Sequence, residues 1–317
     1  MHKTASMHGF ILAIIANILL NVNTRKHSMH SVKSLTLQGM DIPEQLRSLF
    51  DAPTKLFYRG NPLPELLQHP LVAIVGSRKV DSYGTHVTKM LAVDLAQKGI
   101  VIVSGLALGV DAIAHSSAMQ AGGASIGVLA SGIEDPTPHT NSRIAINLLD
   151  KGGLLSEHPG DYAPHPHDFL IRNRLVSGLC SGVIITQAAV RSGSLNTASH
   201  ALEQGKVVMA VPGPITNPLC EGPNNLLKMG ATPVTCAEDV LKALGIYTEP
   251  SKEKDYDLLA ENEAELTIIT LIKEGVNDGE LLAQRSGVSV QEFNVHMTML
   301  EMRGVISPLG ANHWTLS

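Results

Sequence analysis

Short apolar runs alternate with longer amphipathic stretches between residues 71 and 245. Helical periodicity marks residues 83–98 and 109–121, which separate the first apolar runs. Strands that alternate with long helices predict an α/β fold, with a doubly wound parallel sheet covered by helices on both faces. Six short runs are predicted strands, the first of them by its length and β-branching: LVAIVG (71–76), IVIVSG (100–105), SIGVLA (125–130), GLLSE (153–157), GVIITQ (182–187) and VVMAVPG (207–213).

A second pattern follows this domain. Residues 246–258 are polar and predict a linker. Three helical stretches then precede a hairpin through VISPLGANHWTLS, with turn residues at Gly310, Ala311 and Asn312. This order predicts a small C-terminal winged-helix domain. The predicted organisation is an N-terminal appendage at 1–37, an α/β domain at 38–245, a linker at 246–258 and a winged-helix domain at 259–317.

The first residues contain an apolar segment at positions 10–20. It has ~11 residues, whereas a helix that spans a bilayer needs about 20. The residues after it, NVNTRKHS, offer no small-residue cleavage site of the kind that ends a secretory signal. We therefore expect a helix of the N-terminal appendage, a cytoplasmic protein and no membrane partner.

The net charge of −5 is unevenly distributed over the 317 residues. Residues 70–245 carry 12 Lys/Arg and 13 Asp/Glu, whereas residues 246–317 carry 5 and 12. Any nucleic-acid site must therefore be a local basic pocket of the α/β domain, because phosphate binding needs cations. The three cysteines form no C-x-x-C pair, which argues against a disulfide framework and a zinc site and fits a reducing compartment.

Polar and glycine residues cluster where the predicted parallel strands end, which is where such sheets bind ligands. Glycine amides, helix N-termini and guanidinium groups bind phosphates, and an aromatic ring stacks on bases. The cluster predicts a phosphate-bearing ligand, either a nucleotide or a nucleic-acid strand. Its members are Gly76, Ser77, Arg78, Lys79, Gly105, Phe169, Arg172, Asn173, Arg174, Arg191, Ser192, Gly193 and Ser194.

Other interpretations of some residues stay open from the sequence. Arg172 and Arg174 are alternatively structural ion-pair partners of Asp168 or Glu157, and Phe169 is alternatively part of the core. Asp111 and His115, one helical turn apart, suggest a metal pair, although a structural role is favoured. The sequence has no phosphate-binding P-loop, no dinucleotide-binding glycine motif and no evident catalytic set. We therefore predict no cofactor, no metal and no catalysis.

Seven stretches of the α/β domain carry a set of spaced motifs: VAIVGSRKVDSYG (72–84), SGLALGVDAIAHSSAM (104–119), LLSEHPG (154–160), FLIRNRLVSGL (169–179), RSGSLNTASHALEQGK (191–206), AVPGPI (210–215) and GPNNLLKMGA (222–231). Through these motifs the chain resembles the DNA-processing protein A (DprA/Smf) family over about residues 38–245. That resemblance implies an extended Rossmann-like domain and a non-enzymatic protein that binds single-stranded DNA. It also implies a homodimer that protects incoming DNA and loads the RecA recombinase in natural transformation.

The resemblance assigns roles to individual residues. It implies that Arg78 and the Gly76–Ser77 backbone hold phosphates, that Phe169 stacks on a base and that Lys206 adds peripheral attraction. It further implies that Arg172, Asn173, Arg174, Ser192, Gly193 and Ser194 line the pocket.

The sequence departs from the family at a few positions. Leu170 replaces the usual proline, Gln187 replaces a glutamate, and histidines at 165 and 167 stand where a basic residue is common. The histidines raise the prospect of pH-dependent binding.

An alternative function is that of a nucleoside-monophosphate phosphoribohydrolase on a related core. That family has a catalytic glutamate close after its glycine loop, whereas the first carboxylate here is Glu203.

Overall fold

The computed structural model of the chain describes residues 31–246 and 256–316. The apolar segment at residues 10–20 lies outside the described residues, as do residues 247–255 of the predicted linker. Nine strands form one sheet in the order β1-β2-β6-β5-β4-β3-β7-β8-β9. They are β1 (Lys33–Thr36), β2 (Lys55–Gly60), β3 (Leu71–Val75), β4 (Val101–Ser104), β5 (Ser125–Leu129), β6 (Gly152–Ser156), β7 (Gly182–Ile185), β8 (Val207–Ala210) and β9 (Thr232–Pro233).

The strands from β6 to β9 across the sheet are parallel, whereas β2 pairs antiparallel with β6, and β1 pairs antiparallel with β2. All six predicted strands are confirmed. The sequence analysis did not predict β1, β2 or β9. Strand β1 lies within the segment assigned to an N-terminal appendage, yet it pairs with β2 from Lys33 onward. The sheet therefore begins earlier than the predicted boundary at residue 38.

Helices cover both faces of the sheet, as predicted. Alternate residues of β3 enter different cores: Val72 and Ile74 pack on one side, and Ala73 and Val75 on the other. One face carries α3 (Ser82–Gln97), α4 (Val110–Gln120), α5 (Ser142–Lys151) and α9 (Ala237–Ala243). The other carries α1 (Glu44–Arg47), α2 (Leu63–Leu66), α6 (Pro166–Gly178), α7 (Ser194–Glu203) and α8 (Glu221–Lys228).

The C-terminal residues form three helices and a hairpin in the predicted order. The helices are α10 (Glu263–Lys273), α11 (Gly279–Ser286) and α12 (Val290–Met302), and the hairpin strands are β10 (Ile306–Gly310) and β11 (His313–Leu316). The predicted turn is confirmed, because Ala311 and Asn312 both have positive φ angles, 48° and 61°. A separate apolar core that includes Ile268, Phe293 and Leu300 holds these elements together.

Within the described ranges, no helix is both long and apolar enough to cross a membrane.

Candidate nucleic-acid interface

The connection from β6 through α6 to β7 crosses to the other side of β3, so the strand order reverses between β3 and β7. Such a switch point opens a crevice at the carboxyl ends of the two strands. A cavity of about 590 Å³ lies there, and we call it the β3–β7 cavity. Its walls are the loops after β3, β4 and β7 and the first turns of α6 and α7. The predicted site residues that line it are Gly76, Ser77, Arg78, Lys79, Gly105, Phe169, Arg172, Asn173, Arg191, Ser192, Gly193 and Ser194.

The loop after β3 is tied to the end of β7. The backbone amide of Ser77 donates to the carbonyl oxygen of Gln187 at 2.6 Å. A Cβ atom at Gly76 would lie 2.6 Å from that same carbonyl oxygen, so only glycine permits this approach. The amide side chain of Gln187 also donates to Asp81, the N-cap of α3, at 2.8 Å. These contacts fix the backbone that carries Arg78 at the cavity wall.

The loop after β4 leads into the N-terminus of α4, which also faces the cavity. Gly109 is the N-cap of α4 and has φ 78°, and a Cβ atom there would lie 2.3 Å from the carbonyl oxygen of Ser77. The amide of Val110 donates to the same oxygen at 3.2 Å. Glycine is therefore required for the close packing of the two loops.

The floor of the cavity holds a buried pair of opposite charges, Asp111 and Arg172. Burial raises the pKa of the Asp111 carboxyl, and the positive charge of Arg172 opposes that shift. Burial also lowers the pKa of Arg172, and Asp111 opposes that shift. Arg172 further donates through Nη1 to the carbonyl oxygen of Val128. Arg172 is thus fixed by protein partners. This is in line with the ion-pair interpretation of Arg172, but the charged partner is Asp111.

The other cations of the cavity are exposed. The guanidinium carbon of Arg78 lies 5.2 Å from the centre of the Phe169 ring, within cation–π range. Lys79 and Arg191 are exposed, and Phe169 is only partly buried. Among the described residues, four cations and one carboxylate, Asp111, line the cavity. This leaves a net positive charge beside an accessible aromatic ring.

The loop after β7 presents the N-terminus of α7 to the cavity. Gly193 is the N-cap, and the hydroxyl oxygens of Ser192 and Ser194 lie 2.7 Å apart. The side-chain amide of Asn173 donates to the Gly193 carbonyl oxygen and to Asn196 Oδ1, both at 3.2 Å. Asn173 therefore holds the start of α7 against α6. A helix N-terminus with serines beside it favours an anion.

Two expected site residues lie elsewhere, and the first is Arg174. Arg174 directly follows Asn173 on α6, and neighbouring residues on a helix point in different directions; Arg174 is not part of the β3–β7 cavity lining. Its side chain forms ion pairs with Glu157, at 2.7 Å, and with Asp51, at 2.8 Å. It lines a smaller cavity at the carboxyl ends of β5 and β6, which we call the β5–β6 cavity. The ion-pair interpretation of Arg174 is confirmed.

The second is Lys206, which directly precedes β8. A residue before a parallel strand lies at its amino end, which is the sheet edge opposite the cavity. Lys206 is close enough to the buried thiol of Cys180, just before β7, to affect its pKa. The expected contribution to the pocket from Lys206 is therefore not supported by its position.

Asp111 and His115 both have protein partners; Asp111 accepts from the Ala107 amide at 3.3 Å. The ring nitrogens of His115 lie 2.7 Å from the Ser125 hydroxyl and 2.5 Å from the Gly105 carbonyl oxygen. Burial lowers the pKa of His115 to about 4, so the ring is neutral at pH 7. Among the described residues, no group of three or more histidine, cysteine, aspartate or glutamate side chains is placed to hold a metal ion.

Several residues of the cavity were not predicted. Asp111 forms its floor, Pro166 and Leu170 extend the wall formed by α6, and Gln187 orders the loop after β3. Asp111 was detectable, because it follows the glycine loop after the second predicted strand. The role of Gln187 depends on a contact with Asp81, which is more than 100 residues away in the sequence.

Comparisons with known proteins found one family model and several related proteins. The model of the DNA recombination-mediator protein A family matches residues 33–245. The chain is 39% identical to protein Smf of Escherichia coli (strain K12) over 84% of this chain and 72% of that protein. It is also 39% identical to DNA processing protein DprA of Bacillus subtilis (strain 168), over 69% of this chain and 75% of that protein.

Two solved structures are similar to this one. DNA processing protein A from Streptococcus pneumoniae has a TM-score of 0.64 and 38% identity, over 68% of this chain and 75% of that chain. DNA processing protein A from Helicobacter pylori has a TM-score of 0.61 and 34% identity, over 68% of this chain and 97% of that chain. The latter structure was described for its single-stranded DNA binding mode.

Proposed function

This chain belongs to the DNA recombination-mediator protein A family, and we propose that it binds single-stranded DNA in the β3–β7 cavity without catalysing a reaction. The observation that supports this most directly is the composition of the cavity. Exposed Arg78, Lys79 and Arg191 surround a partly exposed Phe169 beside the N-terminus of α7. Cations attract the phosphates of a strand, and an aromatic ring stacks on its bases without regard to sequence.

The aromatic ring in the cavity lining favours a single strand over a duplex. Phe169 lies inside the lining together with Gly76 and Gly105. A base can stack on this ring only when it is unpaired and turned away from a partner strand. A duplex presents phosphates at its surface and keeps its bases stacked inside, so it gains only the electrostatic part of the interaction.

The chemistry of the cavity gives no support to a phosphoribohydrolase. Among the described residues that line it, the only carboxylate is Asp111, which is buried and interacts with Arg172. Glu203 lies at the last residue of α7, and its side chain is 74% exposed. A catalytic glutamate close to the glycine loop is therefore missing from this cavity.

Within its family, we propose that the protein is a cytoplasmic homodimer that protects incoming single-stranded DNA and delivers it to the RecA recombinase. This role needs a site that binds a strand tightly but independently of sequence, and exposed cations with one stacking ring supply such binding. Light scattering after size exclusion tests the dimer. A RecA filament-formation assay tests the delivery, with faster filament growth on single strands as the expected result.

A salt titration tests the central proposal. Fluorescence anisotropy is measured for a labelled oligo-dT and for a duplex of the same length between about 50 and 200 mM salt. We expect tighter binding of the single strand, with log K falling linearly with log salt. Equal affinity for both forms, or binding that salt does not weaken, would refute a phosphate-binding cavity for a single strand.

A further inference from the structure

Helix α12 of the C-terminal domain has apolar residues on two opposite faces. One face includes Phe293 and Leu300, which are buried in the core of the domain. On the other face, three apolar residues repeat at steps of four and three positions, which brings them together along the helix. These are Val295, Met299 and Met302, with exposed fractions of 60%, 43% and 79%. We call these three residues the α12 stripe, and the described residues of both domains leave it uncovered.

Helix α12 occupies the position of the helix that reads duplex DNA in helix-turn-helix proteins. Residues 287–289 form a three-residue turn between α11 and α12, and Gly287 has φ 72°. Helix α12 contains Glu292 and Glu301 but no lysine or arginine. A helix in the major groove needs cations for the phosphates and polar side chains for the base edges. The α12 stripe is therefore unsuited to DNA.

The domain around this helix is acidic, and its few cations are used within it. Residues 256–316 carry 3 Lys/Arg and 9 Asp/Glu. Lys273 forms an ion pair with Asp257 at 2.8 Å, and Arg303 forms one with Glu261 at 2.9 Å. The excess of carboxylates attracts a positively charged partner and repels a second copy of the same domain.

We propose that the α12 stripe binds a basic amphipathic helix of a partner protein. A narrow apolar row on one helix is complementary to an apolar row on another, because their side chains interdigitate when the two helices pack. Methionine is flexible and polarizable, so Met299 and Met302 adapt to the side chains of the partner. Lysine and arginine on the flanks of the partner helix then face the carboxylates of the domain.

A labelled model peptide tests this proposal. The peptide is a helix of roughly 18 residues, about five turns, with leucine on one face and lysine on the other. Its anisotropy is measured with the full chain in the absence of DNA. A scrambled peptide of the same composition is expected to bind at least about tenfold more weakly, which corresponds to roughly 1.4 kcal/mol. A peptide with glutamate in place of lysine is expected not to bind. Equal binding of either control peptide, or no binding of the basic amphipathic peptide, would overturn the proposal.

Substitution of the methionines locates the binding site. The double variant Met299→Gln, Met302→Gln keeps side-chain length and helix propensity and changes only exposed positions. It is expected to bind the basic amphipathic peptide at least about tenfold more weakly. Ile215→Gln is the matched control, because Ile215 is 94% exposed in the α/β domain, and its affinity is expected to stay unchanged. An unchanged affinity in the double variant, or an equal loss in the control, would contradict the assignment. If the double variant fails to fold, Val295→Thr, which is close in shape to valine, replaces it with the same criteria.

A second copy of the chain and duplex DNA are the competing occupants of the α12 stripe. Light scattering and duplex anisotropy are expected to give the same result for the unaltered chain and the double variant. A dimer that dissociates in the variant would assign the stripe to a second copy, and a lower duplex affinity would assign it to DNA; either result would overturn the proposal. Oligo-dT affinity is expected to stay unchanged, because the stripe is not part of the β3–β7 cavity. Failure of this inference therefore leaves the single-strand proposal intact.

Discussion

Replacement of Arg78 by alanine tests the electrostatic basis of the proposed function. Arg78 is exposed and lies beside the Phe169 ring, whereas Arg172 in the same cavity is buried and bound by protein partners. The change therefore removes one accessible cation without disturbing the fold. Each phosphate neutralised on a single strand contributes about −0.7 to the slope of log K against log salt.

The expected loss follows from this slope. At about 0.1 M salt, one phosphate contact fewer corresponds to a roughly fivefold lower affinity. Arg78 also lies 5.2 Å from the centre of the Phe169 ring. Loss of that cation–π contact, of about 0.5–1 kcal/mol, leaves the ring less well positioned for a base and lowers the affinity further. We expect a decrease of at least about fivefold from the phosphate contact alone, up to about 25-fold if the whole cation–π contribution is lost, and a slope that is shallower by about 0.7.

Anisotropy with an oligo-dT of about 16 nucleotides, a length that fills a typical single-strand site, measures both quantities. Lys206→Ala is the matched control, because it removes the same charge at the opposite edge of the sheet. Its slope is expected to equal that of the unaltered protein. An unchanged slope in Arg78→Ala, or an equal loss in the control, would show that net charge and not this cavity determines binding.

Three further changes test separate parts of the structure. Phe169→Ala is expected to weaken oligo-dT binding by about 1–3 kcal/mol without reducing the salt slope, and unchanged affinity would exclude base stacking. Gly109→Ala places a Cβ atom 2.3 Å from the Ser77 carbonyl oxygen at φ 78° and is expected to destabilise the fold by more than about 1 kcal/mol in urea unfolding. Burial raises the pKa of Glu265, but hydrogen bonds from the Glu261 amide and Arg303 lower it overall from its usual 4.5. The unfolded state therefore protonates first, and stability is lost as pH falls below about 4.5. Glu265→Gln is expected to reduce this loss of stability at acid pH. A loss that persists in the variant would show that other carboxylates cause it.

The sequence was sufficient to predict the parallel sheet, because each of its six buried strands is a continuous apolar run. It was insufficient for three strands, namely the edge strands β1 and β9 and the strand β2, which lies between β1 and β6. Strand β2 spans Lys55–Gly60 and ends in Arg59 and Gly60, so its pattern resembles neither a buried run nor an alternation. Strand β9 has two residues, Thr232 and Pro233, and becomes a strand only by pairing with β8. Edge pairing depends on neighbours that the local pattern does not contain.

The site residues also divide into those that the sequence placed in the β3–β7 cavity and those that it did not place correctly there. Residues of the loops after strands were predicted correctly to share one cavity, because parallel strands place their carboxyl ends at one edge. Arg174 was included because its stretch was treated as one motif, but its side chain is not part of the β3–β7 cavity lining and pairs with Glu157 and Asp51 instead. Lys206 was included from its place in a motif, although its position before a strand indicates the opposite edge.

The arginines near the cavity show that the number of cations overstates the charge available to a strand. Arg172 interacts with Asp111 in the buried floor, and Arg174 pairs with Glu157 and Asp51 outside it. A buried cation with a carboxylate partner cannot neutralise a phosphate without leaving that partner unpaired, which is costly. The accessible positive charge therefore comes from Arg78, Lys79 and Arg191. The buried pairs instead stabilise α6, which carries Phe169, against the sheet. Accordingly, removal of a buried arginine is expected to reduce stability first, and removal of an exposed one to reduce affinity alone.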